Sequence, residues 1–464
     1  MAERNPDHTV ITLNDQPTQG VAWSSSSSDR ATPDEKSEVL PSDTEISASQ
    51  TKEAEAAAVA NINNAIPNGG LQAWLQVLGA FFLFFNSWGI INTFGAFESY
   101  YQSTTLKGYS SGTISWIGTV QGFLLVAGGI VTGPLYDRGY LRHLLIGGNF
   151  LVSFGMMMTS LGKNYWEIFL AQALCVGIGA ACLFVPSVAI VATYFSTKRA
   201  VAIGISAAGG SVGGVIYPIV FRRLTPEIGA PWATRIIGFI AFATLCISTV
   251  VMKPRILPSG PRALLDLPAF KEAPFTFFSI GLFCCFMGIY IPFFDIPIFG
   301  AVKIGTSVDF SFYLLSIMNA ASALGRIIPN LIADRLGYLN VLIPFSVASA
   351  IVALAWIRID NDPGTIVFSA LFGFLSGAIV SLPPTVAASL SPDLKKVGTR
   401  MGMCFCFAAL GLLIGNPIGD VLLNIPEKKF YGAQAFSGSM ILGGAGFYII
   451  ARLFRRREYE HWKA

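Results

Sequence analysis

Residues 133–141 read GPLYDRGYL, and residues 330–339 read NLIADRLGYL. Each stretch follows a long apolar segment and carries an Asp-Arg pair, Asp137-Arg138 in the first copy and Asp334-Arg335 in the second. The two copies lie about 197 residues apart, and other features of the chain repeat at nearly the same spacing. Such a repeat predicts that the chain builds two similar halves in the same orientation.

The composition is typical of a protein with many membrane-spanning segments. Of the 464 residues, 53% are hydrophobic and only 12% are charged, and the mean hydropathy is +0.58. An average soluble domain is about a quarter charged. These values exclude an ordinary soluble enzyme, a nucleic-acid-binding protein and a disordered chain.

The chemistry-bearing motifs of enzymes and pumps are missing from the sequence. It contains no Walker motif, no H-E-x-x-H motif and no Cys/His dyad, so we expect neither an ATP-driven pump nor a membrane enzyme. All seven cysteines lie in apolar segments, which argues against a disulfide framework. We therefore expect no metal site and no cofactor.

Twelve apolar stretches are each long enough to cross about 30 Å of hydrocarbon as a helix. Prolines interrupt the seventh stretch at Pro292 and Pro297 and the tenth at Pro383 and Pro384, which points to a substrate path there. The sequence thus predicts an all-α membrane protein with twelve transmembrane helices in two parallel six-helix bundles. The stretches cover 74–97, 114–135, 143–162, 166–194, 200–220, 234–253, 274–297, 311–332, 340–358, 365–388, 400–421 and 437–455.

Charge predicts the orientation and the division of the chain. With both termini in the cytoplasm, the cytoplasmic segments after the tail hold 17 Lys and Arg residues and the outer segments hold 9, as the positive-inside rule requires. We expect a disordered acidic cytoplasmic tail (1–66), an N-terminal six-helix half (67–252), a cytoplasmic linker (253–273) and a C-terminal six-helix half (274–464).

The repeated Asp-Arg loops resemble a motif of the major facilitator superfamily, G-x-L-x-D-R-x-G-R-K, which follows the second helix of those transporters. An acid at such a place can reach a basic neighbour and a helix N-terminus on the opposite half. The resemblance implies a cytoplasmic gate. Its candidate residues are Asp137, Arg138, Asp334, Arg335, Lys198 and Arg199.

Two further stretches are similar to the fungal members of the monocarboxylate porter family. Residues 67–74 read PNGGLQAW and resemble that family's D-G-G-x-x-A-W segment, with Asn68 in place of the acid. Residues 194–209 read YFSTKRAVAIGISAAG and match its second motif at most positions. Together these motifs indicate that the whole segment 67–464 belongs to this family.

Arg326 is the strongest candidate for a substrate-binding residue. An arginine in the middle of an apolar span is costly unless it faces a cavity or a partner, and its planar fork suits a carboxylate. The family resemblance implies an anion-binding role for Arg326. It also shows that Ser322 stands where monocarboxylate porters have an acid, and Asn92 where they have a lysine. The alternative is that Arg326 extends to the inner surface.

Other polar and aromatic residues in the spans are weaker candidates. Asp295 could carry a proton or could be a hydrated residue near the outer end, with Glu98 and Asp420 as alternative carriers. The aromatic residues of span 1, from Phe81 to Trp88, are expected mostly to face lipid, while one or two of them could contact an apolar substrate. Residues that could line a cavity, or only join helices, are Asn86, Asn92, Gln121 and Asn319; Tyr290, Phe293 and Phe294 lie beside the broken helix.

The leading functional hypothesis is a secondary-active or facilitative transporter of small organic anions that works by alternating access. Export or internal movement of a carboxylate-bearing specialised metabolite is favoured over proton-coupled import of a nutrient monocarboxylate, because two titratable positions of the family are lost. A non-transporting receptor or scaffold is a further alternative. We expect the lipid bilayer, an organic anion and possible protons as partners, a monomer as the working unit, and the plasma membrane rather than a vacuolar or other internal membrane.

Overall fold

The structure is a computed structural model that describes residues 68–255, 265–391 and 397–459, without the side chains of residues 137, 308, 309, 397 and 456–459. The predicted tail (1–66) and residues 256–264 of the predicted linker lie outside the described residues. The regular structure of the described residues is helical, and a 3-10 helix at Leu267–Lys271 precedes the seventh long helix.

Twelve of the helices are long and apolar enough to cross a membrane, which confirms the predicted number. Each overlaps one of the predicted stretches, and we number them as spans 1 to 12. They cover Leu71–Thr105, Ser111–Tyr136, Leu141–Thr159, Tyr165–Tyr194, Arg199–Ile228, Ala230–Val251, Ala273–Ile304, Phe310–Leu336, Tyr338–Arg358, Asp362–Ser389, Gly398–Leu422 and Tyr431–Arg455.

Proline breaks two spans where the sequence predicts it. Span 7 divides into Ala273–Ile289 and Ile291–Ile298, and span 10 divides into Asp362–Ser381 and Pro383–Ser389. Proline has no backbone N–H to donate and its ring crowds the preceding turn, so the helix is interrupted. Span 1 is also interrupted, at Thr93, where the sequence has no proline and no break is predicted.

Glycines bring the helices of each half into backbone contact. A methyl group at Gly209 of span 5 would meet the carbonyl oxygen of Phe81 in span 1, and one at Gly411 of span 11 would meet that of Phe283 in span 7. These two contacts are 202 residues apart, and the next pair along the same helices repeats at the same spacing. The internal repeat of the sequence is therefore also a repeat of helix packing.

Four helices form the main contact between the first six spans and the last six. Span 2 packs along span 11, and span 5 packs along span 8. We refer to the side where Leu71 begins span 1 and Arg455 ends span 12 as the terminal face, and to the other side as the opposite face.

The two stretches that resemble the monocarboxylate porter family contact each other at the terminal face. The Oδ1 atom of Asn68 accepts hydrogen bonds from the backbone N–H groups of Ser196 at 2.7 Å and Thr197 at 3.0 Å. The ring of Trp74 packs edge-on against that of Phe195 at 5.3 Å. Asn68 has a φ of 52°, which Asn adopts more readily than most residues. These contacts fix the start of span 1 to the connection between spans 4 and 5.

Candidate functional site

Arg326 lies inside the protein, at the contact between the two halves. Its side chain is 2% exposed, and its Nη1 atom donates a hydrogen bond of 2.7 Å to the carbonyl oxygen of Ala207 in span 5. Its Nε atom has no hydrogen-bond partner, and no ion pair with a carboxylate involves Arg326 among the described residues. Arg326 therefore carries a buried positive charge with one donor unused, instead of extending to the surface.

Two aromatic residues face each other next to Arg326. Trp88 of span 1 and Tyr290 of span 7 stack with ring centroids 5.9 Å apart and an interplanar angle of 13°. A methyl group at Gly210 of span 5 would lie 2.7 Å from the Cβ atom of Trp88 and 3.1 Å from Nη1 of Arg326. Trp88 and Arg326 therefore both adjoin Gly210. Tyr290 also interacts electrostatically with Arg326.

Asn92 of span 1 and Asn319 of span 8 both lie beside Gly214, about one turn further along span 5 than Gly210. A methyl group at Gly214 would lie 2.7 Å from Oδ1 of Asn319 and 2.9 Å from Cβ of Asn92. Both amides donate to backbone carbonyls, whereas their Oδ1 atoms have no partner. The hydroxyl group of Ser322 is buried and unpaired as well.

Unpaired polar atoms are costly in a protein interior, and each needs an explanation. Six of them belong to this group of side chains: Trp88 Nε1, Asn92 Oδ1, Tyr290 Oη, Asn319 Oδ1, Ser322 Oγ and Arg326 Nε. They come from spans 1, 7 and 8, and those of Trp88, Asn92, Asn319 and Arg326 belong to side chains that adjoin Gly210 or Gly214 of span 5. A bound polar molecule would satisfy them, so we take this group as the candidate substrate site.

Asp295 is close to the other carboxyl groups of the membrane region and is not paired with Arg326. It is 5% exposed and interacts electrostatically with Glu98 of span 1 and Asp420 of span 11. Gln102 donates to Glu98 at 3.3 Å, and Ser115 of span 2 contacts Asp420. Glu98 belongs to the first six spans, and Asp295 and Asp420 belong to the last six. All three lie toward the opposite face, and we refer to them as the acidic cluster.

One of the two predicted gate acids makes the predicted contact. The carboxylate of Asp334, which ends span 8, accepts hydrogen bonds of 3.2 Å from the backbone N–H groups of Ala200 and Val201 at the start of span 5. This contact joins the halves at the terminal face, and Arg199 interacts electrostatically with the same carboxylate. The other basic gate candidates, Arg138, Lys198 and Arg335, are exposed. The side chain of Asp137 lies outside the described residues.

The contacts explain Asn86 by helix packing, whereas Gln121 and Phe294 stay candidates for the substrate site. Asn86 joins helices, since it donates to Thr244 at 2.8 Å and accepts from Tyr217 at 2.6 Å. Gln121 is fully buried, and both atoms of its amide are unpaired. Phe294 packs beside Tyr290, with ring centroids 6.3 Å apart.

The expectation that the aromatic run of span 1 mostly faces lipid is wrong. Phe84, Phe85 and Trp88 are buried, and Phe81 and Phe82 are half-buried. Span 1 is enclosed by spans 4, 5 and 6, so lipid reaches little of its surface. Composition alone does not distinguish a helix that faces lipid from one that is packed inside a bundle, because both are apolar. For this reason the sequence alone does not single out Trp88 among these aromatic residues, although Trp88 lies 202 residues before Tyr290.

Comparison with known proteins agrees with this architecture. The sequence profile of the Major Facilitator Superfamily matches residues 77–362. The MFS-type transporter dbaD of Emericella nidulans is 45% identical over 382 residues, which are 82% of this chain and 86% of that protein.

Two further relatives are named for what they export. The Aspyridones efflux protein apdF of Emericella nidulans is 38% identical over 82% of this chain and 77% of its own length. The Fujikurins efflux protein of Gibberella fujikuroi is 38% identical over 83% of this chain and 84% of its own length. All three relatives are transport proteins and not enzymes. The chain belongs to the Major Facilitator Superfamily and is a multi-pass membrane transporter.

Proposed function

We propose that this transporter exports a small organic acid, a carboxylate-bearing specialised metabolite, across the plasma membrane. The observation that carries the proposal is Arg326, a buried cation at the contact between the halves with an unused donor. An arginine in this environment requires a counter-charge, and a carboxylate matches its planar fork. The names of two relatives as efflux proteins support the direction of transport.

We propose that Arg326 binds the anion as the corresponding arginine of a monocarboxylate porter does. The polar residues around it differ from those of that family. Ser322 and Asn92 replace an acid and a lysine of that family, and both lie in the candidate site with unpaired oxygen atoms. These groups recognise the substrate by hydrogen bonds and do not change charge. The site therefore binds an anion through Arg326 and selects its polar substituents through uncharged groups.

Proton coupling is assigned to the acidic cluster. Glu98, Asp295 and Asp420 are close in space, and no Lys or Arg among the described residues forms an ion pair with any of them. Carboxyl groups that share a low-dielectric region repel one another when ionised, so protons bind there more readily. In an exporter, protons enter at this cluster from outside as the organic anion leaves.

Alternation between the two faces is assigned to the contact of Asp334 with the start of span 5. The contact closes the terminal face, which we place in the cytoplasm, and it breaks when the halves open there. One chain contains both halves, the site and the gate, so we propose a monomer as the working unit.

Comparison of metabolites in cells and medium tests the proposal. Cells with the wild-type protein are expected to accumulate an organic acid in the medium, and cells with Arg326→Ala to retain it. Arg358→Ala removes an exposed arginine from the end of span 9 and serves as a matched control. A nutrient importer would instead deplete an acid from the medium, and a receptor would leave both compartments unchanged.

A further inference from the structure

Trp88 and Tyr290 occupy equivalent positions in the two halves. The glycine contacts of spans 1 and 5 recur in spans 7 and 11 at a spacing of 202 residues, and the same spacing relates Trp88 to Tyr290. Equivalent residues that touch each other must lie near the axis that relates the halves. The stacked pair therefore marks the centre of the transporter, where any substrate has to pass.

The polar groups of this pair are not explained by packing. Trp88 is 1% exposed and Tyr290 is 2% exposed, yet the Nε1 atom of the first and the Oη atom of the second have no partner among the described residues. Phenylalanine or leucine would fill the same space without burying an unpaired donor. Two unused donors beside Arg326 indicate that a ligand with several acceptor atoms completes the site.

Aromatic rings extend from the stacked pair into both halves. Phe184 of span 4 meets Trp88 edge-on at 6.0 Å and also contacts Phe405 of span 11 at 5.4 Å. On the other side, Phe293 lies 5.9 Å from Tyr290. The surroundings of the pair are thus apolar and built mainly from flat rings, which favour a flat, polarisable ligand.

We infer that the transported acid is planar and conjugated, with its flat ring system lying against Trp88 and Tyr290 while its acidic group binds Arg326. This inference rests on the proposed function, because it takes Arg326 as the anion-binding residue. The proximity of Trp88 and Arg326 at Gly210 requires the ring and the acid of the ligand to be adjacent. Oxygen substituents on the ring accept hydrogen bonds from the indole N–H and the phenol.

Two acids with the same carbon skeleton, one flat and one not, test the inference in the purified full-length protein in nanodiscs. 2-Naphthoate is planar and aromatic, and decahydro-2-naphthoate has the same carboxylate on a saturated skeleton. Since an aromatic contact adds roughly 0.5–1.5 kcal/mol beyond burial, the wild type is expected to bind 2-naphthoate up to about tenfold more tightly. Arg326→Ala should abolish the binding of both acids.

Two variants of Trp88 test whether the aromatic ring at this position causes the preference for 2-naphthoate. Trp88→Leu is expected to remove the preference, so that 2-naphthoate and decahydro-2-naphthoate bind with equal affinity. Trp88→Phe, which keeps a ring, should retain most of the preference. Trp116→Leu in span 2, at a tryptophan that is 41% exposed, is the matched control and should change nothing.

The outcomes distinguish this inference from the function on which it rests. Equal affinity for the two acids, lost in Arg326→Ala, would overturn the planar substrate and keep the anion site. A preference that survives in Trp88→Leu would also overturn it. If neither acid shows binding that depends on Arg326, the proposed function fails as well.

Discussion

Arg326 shows how the membrane environment makes a single residue informative. A charged side chain in the interior of a bilayer costs several kcal/mol unless a partner or water compensates it. Here the protein supplies one carbonyl, that of Ala207, and leaves the Nε donor unpaired. Under the proposed function, the bound anion compensates this residual cost in each transport cycle.

The first prediction at this scale concerns the anion contact. Arg326→Ala should abolish transport while the protein remains folded and inserted, because removal of the cation also removes a buried charge. Arg326→Lys should restore little activity, since an ammonium group lacks the bidentate fork. Transport assays in proteoliposomes, with the melting temperature as the folding control, measure both effects. Wild-type rates in Arg326→Ala would contradict the role of Arg326.

The second prediction concerns the acidic cluster. Asp295→Asn should remove the ability of a pH gradient to drive accumulation of the exported acid, because the amide binds no proton. Exchange of labelled for unlabelled acid down its own gradient should continue. The exposed Asp360 provides the control variant Asp360→Asn. If proton-driven accumulation survives in Asp295→Asn, coupling has to be sought at Glu98 or Asp420.

At the scale of helices, close contacts between backbones position the site. Spans 1 and 5 touch at Gly209 and Gly213, and spans 7 and 11 touch at Gly411 and Gly415. Small residues allow this approach in a bilayer, where lipid competes equally well for apolar side chains. The approach brings Trp88 and Arg326 together at Gly210, on the same stretch of span 5.

A pair of glycine variants tests the importance of this approach. A methyl group at Gly213 would meet the carbonyl oxygen of Phe85 and lie 2.9 Å from the Cα atom of Gly89, whereas one at Gly443 in span 12 would meet nothing within 4 Å. Gly213→Ala should therefore lower the melting temperature and the transport rate. Gly443→Ala should be neutral or stabilising, because Ala favours a helix over Gly by about 1 kcal/mol. Equal effects of the two variants would show that the contact between spans 1 and 5 is not critical.

The contact between the Asp334 carboxylate and the start of span 5 provides the second test at the scale of helices. Asp334→Asn removes the charge that the N-terminus of span 5 attracts, an interaction of about 0.3–1 kcal/mol at exposed sites and up to ~2 kcal/mol when partly buried. Turnover should change by up to about tenfold while substrate affinity changes little. Asp137→Asn, in the other copy of the motif, is expected to act in the same way. A large loss of affinity without a change in turnover would remove both acids from the gate.

At the scale of the whole molecule, we expect the transport machinery to lie within the two six-helix halves. The first 66 residues are acidic and poor in apolar side chains, so they offer little with which to pack against the spans. Deletion of residues 1–60 should leave transport intact in proteoliposomes, even if it alters trafficking in cells. Loss of activity in the purified truncated protein would show that this segment is part of the machinery.

Hydrophobicity and length decided the twelve spans, because a bilayer forces each backbone segment that crosses it to satisfy its own hydrogen bonds as a helix. The breaks at Pro292 and Pro383 and the isolated charge of Arg326 could be predicted for the same reason, since each depends on one residue and its immediate neighbours. Tertiary packing decided the rest. The rotation and depth of each helix determine that Glu98 meets Asp420 and that Trp88 stacks on Tyr290. Residues more than 200 positions apart in the chain, such as these two pairs, are brought together only by helix packing, which hydropathy does not encode.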